Sequence, residues 1–220
     1  MILGIDTATA STAAAVWSPD GPQREARDDP APRARPAHAT RVLALVEEVL
    51  DAAGGWEAID SIAVGVGPGG FTGLRHGIAT ARGLAQGRGL PLAGVSSLHA
   101  LALGAGAGEE TPVYAVIDAR RGEVFAAAWR GDERLVEPVA IAPAALAESL
   151  PAGALAVGDG AVRFREQLER AGAAVPADSS AIHRVSALQV CRLGWGGEHV
   201  DRDALVPDYR REPDASPRSP

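Results

Sequence analysis

Apolar positions recur with two periods along this chain, and the places where the period changes mark its elements. Met1 to Asp6 and Thr12 to Trp17 are apolar runs separated by the small polar turn Thr7 to Ser11, which predicts a hairpin with Asp6 at its mouth. Val42, Leu45, Val46, Val49 and Leu50 share one face at helical spacing and Gly54-Gly55 closes the segment, so Thr40 to Ala53 reads as an amphipathic helix. Ile62 to Val66 is a β-branched run that Gly67-Pro68-Gly69-Gly70 breaks. From Thr72, a good N-cap, Leu74, Ile78, Ala81 and Ala85 return at helical spacing until Gly87 and Gly89. The chain is organised around this strand, glycine turn and helix. A strand over Leu90 to Val95 follows, then a helix capped by Ser96 or Ser97 that runs to about Gly104.

Three glycines, Gly73, Gly77 and Gly83, lie inside the central helix, and each costs about 1 kcal/mol relative to Ala. Gly73, Gly77, Thr80 and Ala81 fall near one side, so another backbone can approach there. That backbone belongs either to a partner or to the chain's own sheet. Pro19 to Ala37, with five prolines, mixed charges and no apolar period, reads as an exposed, poorly ordered connection.

After the Gly/Ala joint Gly104 to Gly108 the opening pattern returns. Ile2 to Trp17 (ILGIDTATASTAAAVW) and Tyr114 to Trp129 (YAVIDARRGEVFAAAW) both place Ile-Asp at a strand end and Trp eleven residues later, which points to a duplication. The second half continues with a strand at Leu135 to Ile141, a helix from Pro143 to Leu150 and a strand at Leu155 to Val157. Gly158-Asp159-Gly160 then turns into one helix through about Ala171. A last helix near Ser186 to Trp195 is expected to pack back on the first half. Val206 to Arg210 is extended because Pro207 restricts Val206. The predicted domains are 1–104, with the helix at about 184–200 returning to it, and 109–182. Residues 212–220 read as a disordered tail.

Composition narrows the function classes. A chain of 220 residues that is 46% hydrophobic can bury a proper core, and a net charge of −7 argues against a dominant nucleic-acid or membrane surface, leaving only a local patch such as Arg75, Arg82 and Arg88. Cys191 is the only cysteine, so no internal disulfide forms, and its place in the apolar pattern of the last helix predicts a buried, inert thiol. The start MILGID has no charged leader region and no apolar run approaches the ~20 residues that span a bilayer, so the cytoplasm is the expected compartment.

Two nucleotide motifs are excluded. A P-loop needs Lys-Ser/Thr after its last glycine, where this chain has Phe71-Thr72. Gly65, Gly67 and Gly70 fit G-x-G-x-x-G, but Gly87 to Leu92 lack the acid that a dinucleotide site needs about 20 residues on. His38, His76, His183 and His199 have no neighbours that make a triad and read as surface or capping residues.

The two strand-Asp-turn-strand hairpins resemble those of the actin-like and sugar-kinase ATPase superfamily. That resemblance implies an α/β fold of two related actin-like (RNase H-like) lobes with mixed sheets flanked by helices. MILGIDTATASTAAAVW, the His38 segment, GVGPGGFTGLRHGIATARGLA, GVSSLHALA, VIDARRGEVFAAAW, VGDGA and VPDYRR together are similar to the TsaB (YeaZ) family, over nearly the whole chain up to Arg211. The most specific stretch is Gly67 to Arg82. The resemblance implies a non-catalytic scaffold in tRNA threonylcarbamoyladenosine synthesis. Its partners would be the catalytic paralogue TsaD and the ATPase TsaE, with self-pairing when TsaD is absent and with tRNA reached through the complex.

Other residues fit that implication. The paralogue carries a metal-binding H-x-x-x-H pair on the helix after the strand matching Leu92 to Val95. Here the aligned positions are Ser97 and Leu101 with His99 between, so no metal and no cofactor are expected. Phosphate loops of the superfamily resemble D-x-G-T/S, whereas Asp6-Thr7-Ala8-Thr9 has Ala8 at the glycine. Asp6, Thr9 and Asp118 are therefore candidates only for a vestigial nucleotide site, and Asp6 is expected to bond its own turn. The expected partner interface comprises Leu45, Val49, Gly73, His76, Gly77, Thr80 and Ala81. The competing readings are an ATP-dependent phosphotransferase using Asp6 and Asp118 between the lobes, and direct tRNA binding.

Overall fold

Strand β1 (Ile2–Asp6) is buried at every position and lies at the centre of the first sheet. It pairs antiparallel with β2 (Thr12–Trp17) and parallel with β4 (Ser61–Gly67), with β3 (Arg24–Asp28) and β5 (Leu92–Ser96) at the edges, giving the order β3-β2-β1-β4-β5. The structure, a computed structural model, describes residues 1–31, 34–201 and 204–210. The tail expected at 212–220 lies outside them.

Helices α1 (His38–Asp51) and α2 (Phe71–Arg88) cover one face of this sheet, burying Val42, Leu45, Val46, Val49 and Leu50 against Leu3, Ile5, Ala14, Val16, Ile62 and Val64. Each such side chain contributes about 1.5–3 kcal/mol of apolar burial. The other face takes α7 (Ala187–Gly194), which returns to the first sheet as expected, so that the buried Cys191 thiol lies 3.6 Å from the Ile2 carbonyl. Burial pushes that thiol far up from its ordinary range, which makes it inert.

The second sheet has the order β8-β7-β6-β9, built from β6 (Val113–Arg120), β7 (Glu123–Arg130), β8 (Glu133–Ile141) and β9 (Leu155–Val157). Its antiparallel hairpin with a parallel neighbour repeats the β3-β2-β1-β4 order of the first sheet and places Asp118 where the first has Asp6. Helices α4 (Pro143–Ser149), α5 (Asp159–Arg163) and α6 (Arg165–Arg170) cover its outer face. Its inner face meets α3 (Ser97–Gly104), and one apolar cluster runs through α3 and α7 from Ile2 and Ala63 to Phe125 and Trp129. Both lobes therefore share a core, with a cleft where the hairpins face each other.

Several expectations are corrected. The segment 19–37 is not simply a connection, because β3 lies within it and pairs with β2. Its apolar alternation is hidden because Ala26 is its one fully buried residue, while charged Glu25 and Arg27 are used up against α7. The Glu25 carboxylate accepts the Ala187 amide at 2.6 Å, and Arg27 donates to the Val185 carbonyl at 2.8 Å. An edge strand tolerates such charges. Helix α2 begins at Phe71 with Gly70 at its cap and no side-chain cap, so Thr72 is not the N-cap. The helix expected from Gly158 to Ala171 breaks at Phe164, whose φ is −110°.

His38 and His183 are buried rather than at the surface. The Thr12 hydroxyl lies 2.8 Å from His38 Nδ1, whereas His183 Nδ1 accepts the Gly158 amide at 3.1 Å and Nε2 donates to the Pro176 carbonyl at 3.0 Å. Burial, reinforced by His76, holds His38 below its ordinary imidazole range.

Candidate functional site

The cleft between the hairpins has a volume of about 990 Å3. One wall is the β1–β2 turn at Ala8–Ala10, the glycine turn before α2 and the start of α1; the other is Ile117–Arg120 with Phe125 and Asp159. The segment Asp208–Arg210 closes one side, held by the Asp208 amide on the Val66 carbonyl and by Tyr209 stacked on Phe71 at 5.1 Å.

Asp6 is buried at the end of β1, and its carboxylate is fully engaged. Oδ1 accepts the Ala8 amide at 2.9 Å and Oδ2 accepts the Ser97 hydroxyl at 2.7 Å. Burial nevertheless pushes its carboxyl above the ordinary carboxylate range, against the pull of those two bonds. Asp6 thus bonds its own turn as the sequence implies. The second bond was not foreseen, although the serine at the aligned histidine position was the signal for it. Gly65 is required beneath the pair, since a Cβ there would overlap Asp6 Oδ2.

The remaining turn is also internally committed. Ala8 is 1% exposed, and its carbonyl accepts the Gly70 amide at 2.7 Å. Both backbone polar groups of Ala8 are therefore spent inside the protein, where a phosphate loop would turn its amides outward. Thr9 Oγ1 accepts the Ser11 amide at 3.4 Å.

Asp118 is held by the Arg120 amide at 2.9 Å and by the Arg120 and Arg163 guanidinium groups at 3.3 and 3.1 Å. Its own amide donates to Asp159 Oδ1 at 3.0 Å. Burial, with the neighbouring Asp118 charge, pushes the Asp159 carboxyl up to about 6. From the sequence, Gly158-Asp159-Gly160 reads either as a remnant of an adenosine loop or as a plain strand-to-helix turn, and neither reading pairs Asp159 with the Asp118 amide. Thr9 and Asp118 line the cleft together with Asp159, whereas Asp6 lies buried behind the Ala8 turn and is not part of its wall. Among the described residues no group of three or more His, Cys, Asp or Glu side chains is arranged to hold a metal ion.

The expected interface residues fall into two sets. Leu45, Val49 and Ala81 are core residues at 1% exposure or less, so they are not available to a partner. Gly73 and Gly77 are buried under Thr7: a Cβ on Gly73 would overlap the Thr7 carbonyl oxygen and one on Gly77 the Thr7 hydroxyl, which itself donates to the Gly73 carbonyl at 2.8 Å. The close approach is thus made by the chain's own hairpin. His76 and Thr80 are half-buried, and the exposed positions of the two helices include Leu43, Ala44, Glu47 and Glu48 on α1 and Thr72, Arg75, Ala79 and Gly83 on α2. The Gly83 Cβ position meets nothing within 4 Å. Among the described residues no helix is long and apolar enough to cross a membrane.

The family model for TsaD, tRNA N6-adenosine threonylcarbamoyltransferase, matches residues 31–187, more than half of the chain. The tRNA threonylcarbamoyladenosine biosynthesis protein TsaB of Escherichia coli K12 is 44% identical over 137 residues, which are 60% of this chain and 56% of that protein. The solved structure of YeaZ from Pseudomonas aeruginosa superposes with a TM-score of 0.79 at 29% identity, covering 94% of this chain and 98% of that one. The chain belongs to this TsaD-type family, on its TsaB (YeaZ) branch. An uncharacterized protein of Mycobacterium tuberculosis H37Rv is 38% identical over 185 residues, 82% of this chain and 78% of that relative. The match to E. coli TsaB spans little more than half of that protein's length. In this chain the buried strand-end carboxylate of Asp6 is satisfied within the first lobe by the Ala8 amide and the Ser97 hydroxyl.

Proposed function

We propose that this chain is a non-catalytic partner subunit in the synthesis of threonylcarbamoyladenosine beside the tRNA anticodon, docking a TsaD-type catalytic paralogue through the outward face of α1 and α2. The observation that carries the non-catalytic reading is the closed first hairpin, in which Asp6, Ala8 and Ser97 satisfy one another. The family assignment and the pathway for which the E. coli relative is named support the rest. In this reading the lobes are 1–104 and 109–182, and a TsaE-type ATPase joins the complex. The same helical face self-pairs when the paralogue is absent, tRNA is contacted through the complex, and the site of action is the cytoplasm.

The docking residues are Leu43, half exposed, and His76, Ala79, Thr80 and Gly83 on α2, a low ridge against which another helix packs closely. The test mixes the chain with a TsaD-type paralogue, weighs the species by light scattering with and without ATP and a TsaE-type protein, and assays threonylcarbamoyl transfer. Gly83→Arg leaves the monomer folded, because its side chain enters open space, and abolishes the complex; undiminished binding by that variant overturns the interface. A second reading, an ATP-dependent phosphotransferase, is favoured only by the size of the cleft and the acids Asp118 and Asp159 on its wall. Micromolar ATP binding and turnover by the chain alone would replace the first reading with it.

A further inference from the structure

Between α3 and the end of β7 lies a groove of about 580 Å3 that shares no residue with the interlobe cleft and none with α1 or α2. His99 and Leu103 of α3 and Trp129 of β7 line it, flanked by residues 106–111 and by Gly131-Asp132 after β7. The His99 imidazole lies flat on the Trp129 indole, with centroids 4.8 Å apart and planes within 1°. Trp129 is 5% exposed and belongs to the shared core, so the imidazole is the layer of this stack that borders the groove. Burial, with Arg134 nearby, holds His99 below its ordinary range while Asp132 opposes the shift, which leaves the ring neutral at neutral pH.

Around this platform stand Glu109, Glu110 and Asp132. All three are exposed, and none makes an ion pair among the described residues. Arg130 is the guanidinium in the lining. A flat neutral aromatic surface ringed by carboxylates complements a planar cation better than a spherical one. A guanidinium stacks through its face and donates through its edges in pairs, whereas an ammonium is a compact point charge with neither a face nor a paired edge. The net charge of −7 adds a long-range attraction for basic partners.

We propose that this groove docks an arginine side chain presented by a partner protein, stacked on His99 and paired with Glu109 and Asp132. The site is independent of the helical face assigned above, so either can fail without the other. The experiment titrates the full chain with an end-blocked Gly-Arg-Gly peptide and follows the indole resonances of its four tryptophans by NMR. Trp129 shifts while Trp17, Trp56 and Trp195 stay still, and the lysine and citrulline versions of the peptide bind more weakly. Removing two carboxylates with Glu109→Gln and Asp132→Asn weakens the arginine peptide about tenfold, since two exposed pairs together are worth about 1.4 kcal/mol. His99→Ala removes the preference for arginine over lysine. No movement of Trp129, equal binding of the citrulline peptide, or indifference to the carboxylate variants overturns the proposal. A peptide-free dimer that Asp132→Asn dissolves would overturn it too, by assigning the groove to a second copy.

Discussion

Gly73→Ala tests the closeness of α2 to the first hairpin. The added methyl would overlap the Thr7 carbonyl oxygen, a backbone atom of a fully buried residue, and would lie 3.0 Å from His38 Nε2. Relief requires moving the helix or the turn. Overpacking of this kind costs about 1–3 kcal/mol. The same movement breaks the bond from the Thr7 hydroxyl to the Gly73 carbonyl, and a buried hydroxyl left unpaired costs about 1–3 kcal/mol more. The gain in helix propensity returns about 1 kcal/mol. The net expectation is a loss of about 3 kcal/mol, or roughly 6–12 °C in Tm for a chain of this size. Gly83→Ala is the control. It lies in the same helix with open space at its Cβ position, so it gains up to about 1 kcal/mol. Urea unfolding of the three proteins measures both differences. If Gly73→Ala proves neutral or stabilising, like Gly83→Ala, the hairpin does not approach the helix as described and the assignment of these glycines to internal packing fails.

Ser97→Ala removes the hydroxyl that donates to Asp6 Oδ2 and is expected to cost about 2–3 kcal/mol at neutral pH, measured as a lower urea midpoint with an unchanged m-value. Asp159 binds its proton more tightly folded than unfolded, about 6 against 3.8. Its contribution is therefore fully present below pH 3.8 and lost as pH rises through about 6, a fall of about 3 kcal/mol. Asp159→Asn, which keeps an acceptor for the Asp118 amide, removes that fall; thermal unfolding from pH 4 to 7 should show a flatter profile than the wild type, and parallel profiles would refute the assignment. Glu25→Ala deletes the acceptor for the Ala187 amide at the start of α7 and should cost about 1–2 kcal/mol, with faster hydrogen exchange at the first turn of that helix.

Much of the architecture was readable because its signals are local. The five apolar residues of α1, the glycine break after Val66, the Ser96 cap and the repeated Ile-Asp…Trp pattern each lie within one short window. The repeat anticipated two related halves, and the two sheets share the strand order of their first four members. Strand β3 was not readable, because what makes it a strand is a hydrogen-bond ladder to β2 and two charged side chains matched to the Val185 carbonyl and the Ala187 amide, some 160 residues away. His38 and His183 were misjudged for the same reason, since polar residues reveal their burial only through distant partners such as Thr12 and Pro176.

The sequence alone determined most of the elements, the duplication, the TsaB-like character and the absence of a glycine at Ala8 in the first hairpin turn. Those properties depend on residue type and spacing along one strand or helix. Only the tertiary structure decided which side of each helix is free. One apolar or small-residue stripe satisfies a core and a partner equally well on paper, and the packing of α1 on the sheet and of α2 on Thr7 turned Leu45, Val49, Gly73, Gly77 and Ala81 inward. It also decided the state of Asp6, since a carboxylate at a strand end is a ligand or a turn bond according to what stands opposite. In this chain Ser97, brought there by β5 and α3, takes that place.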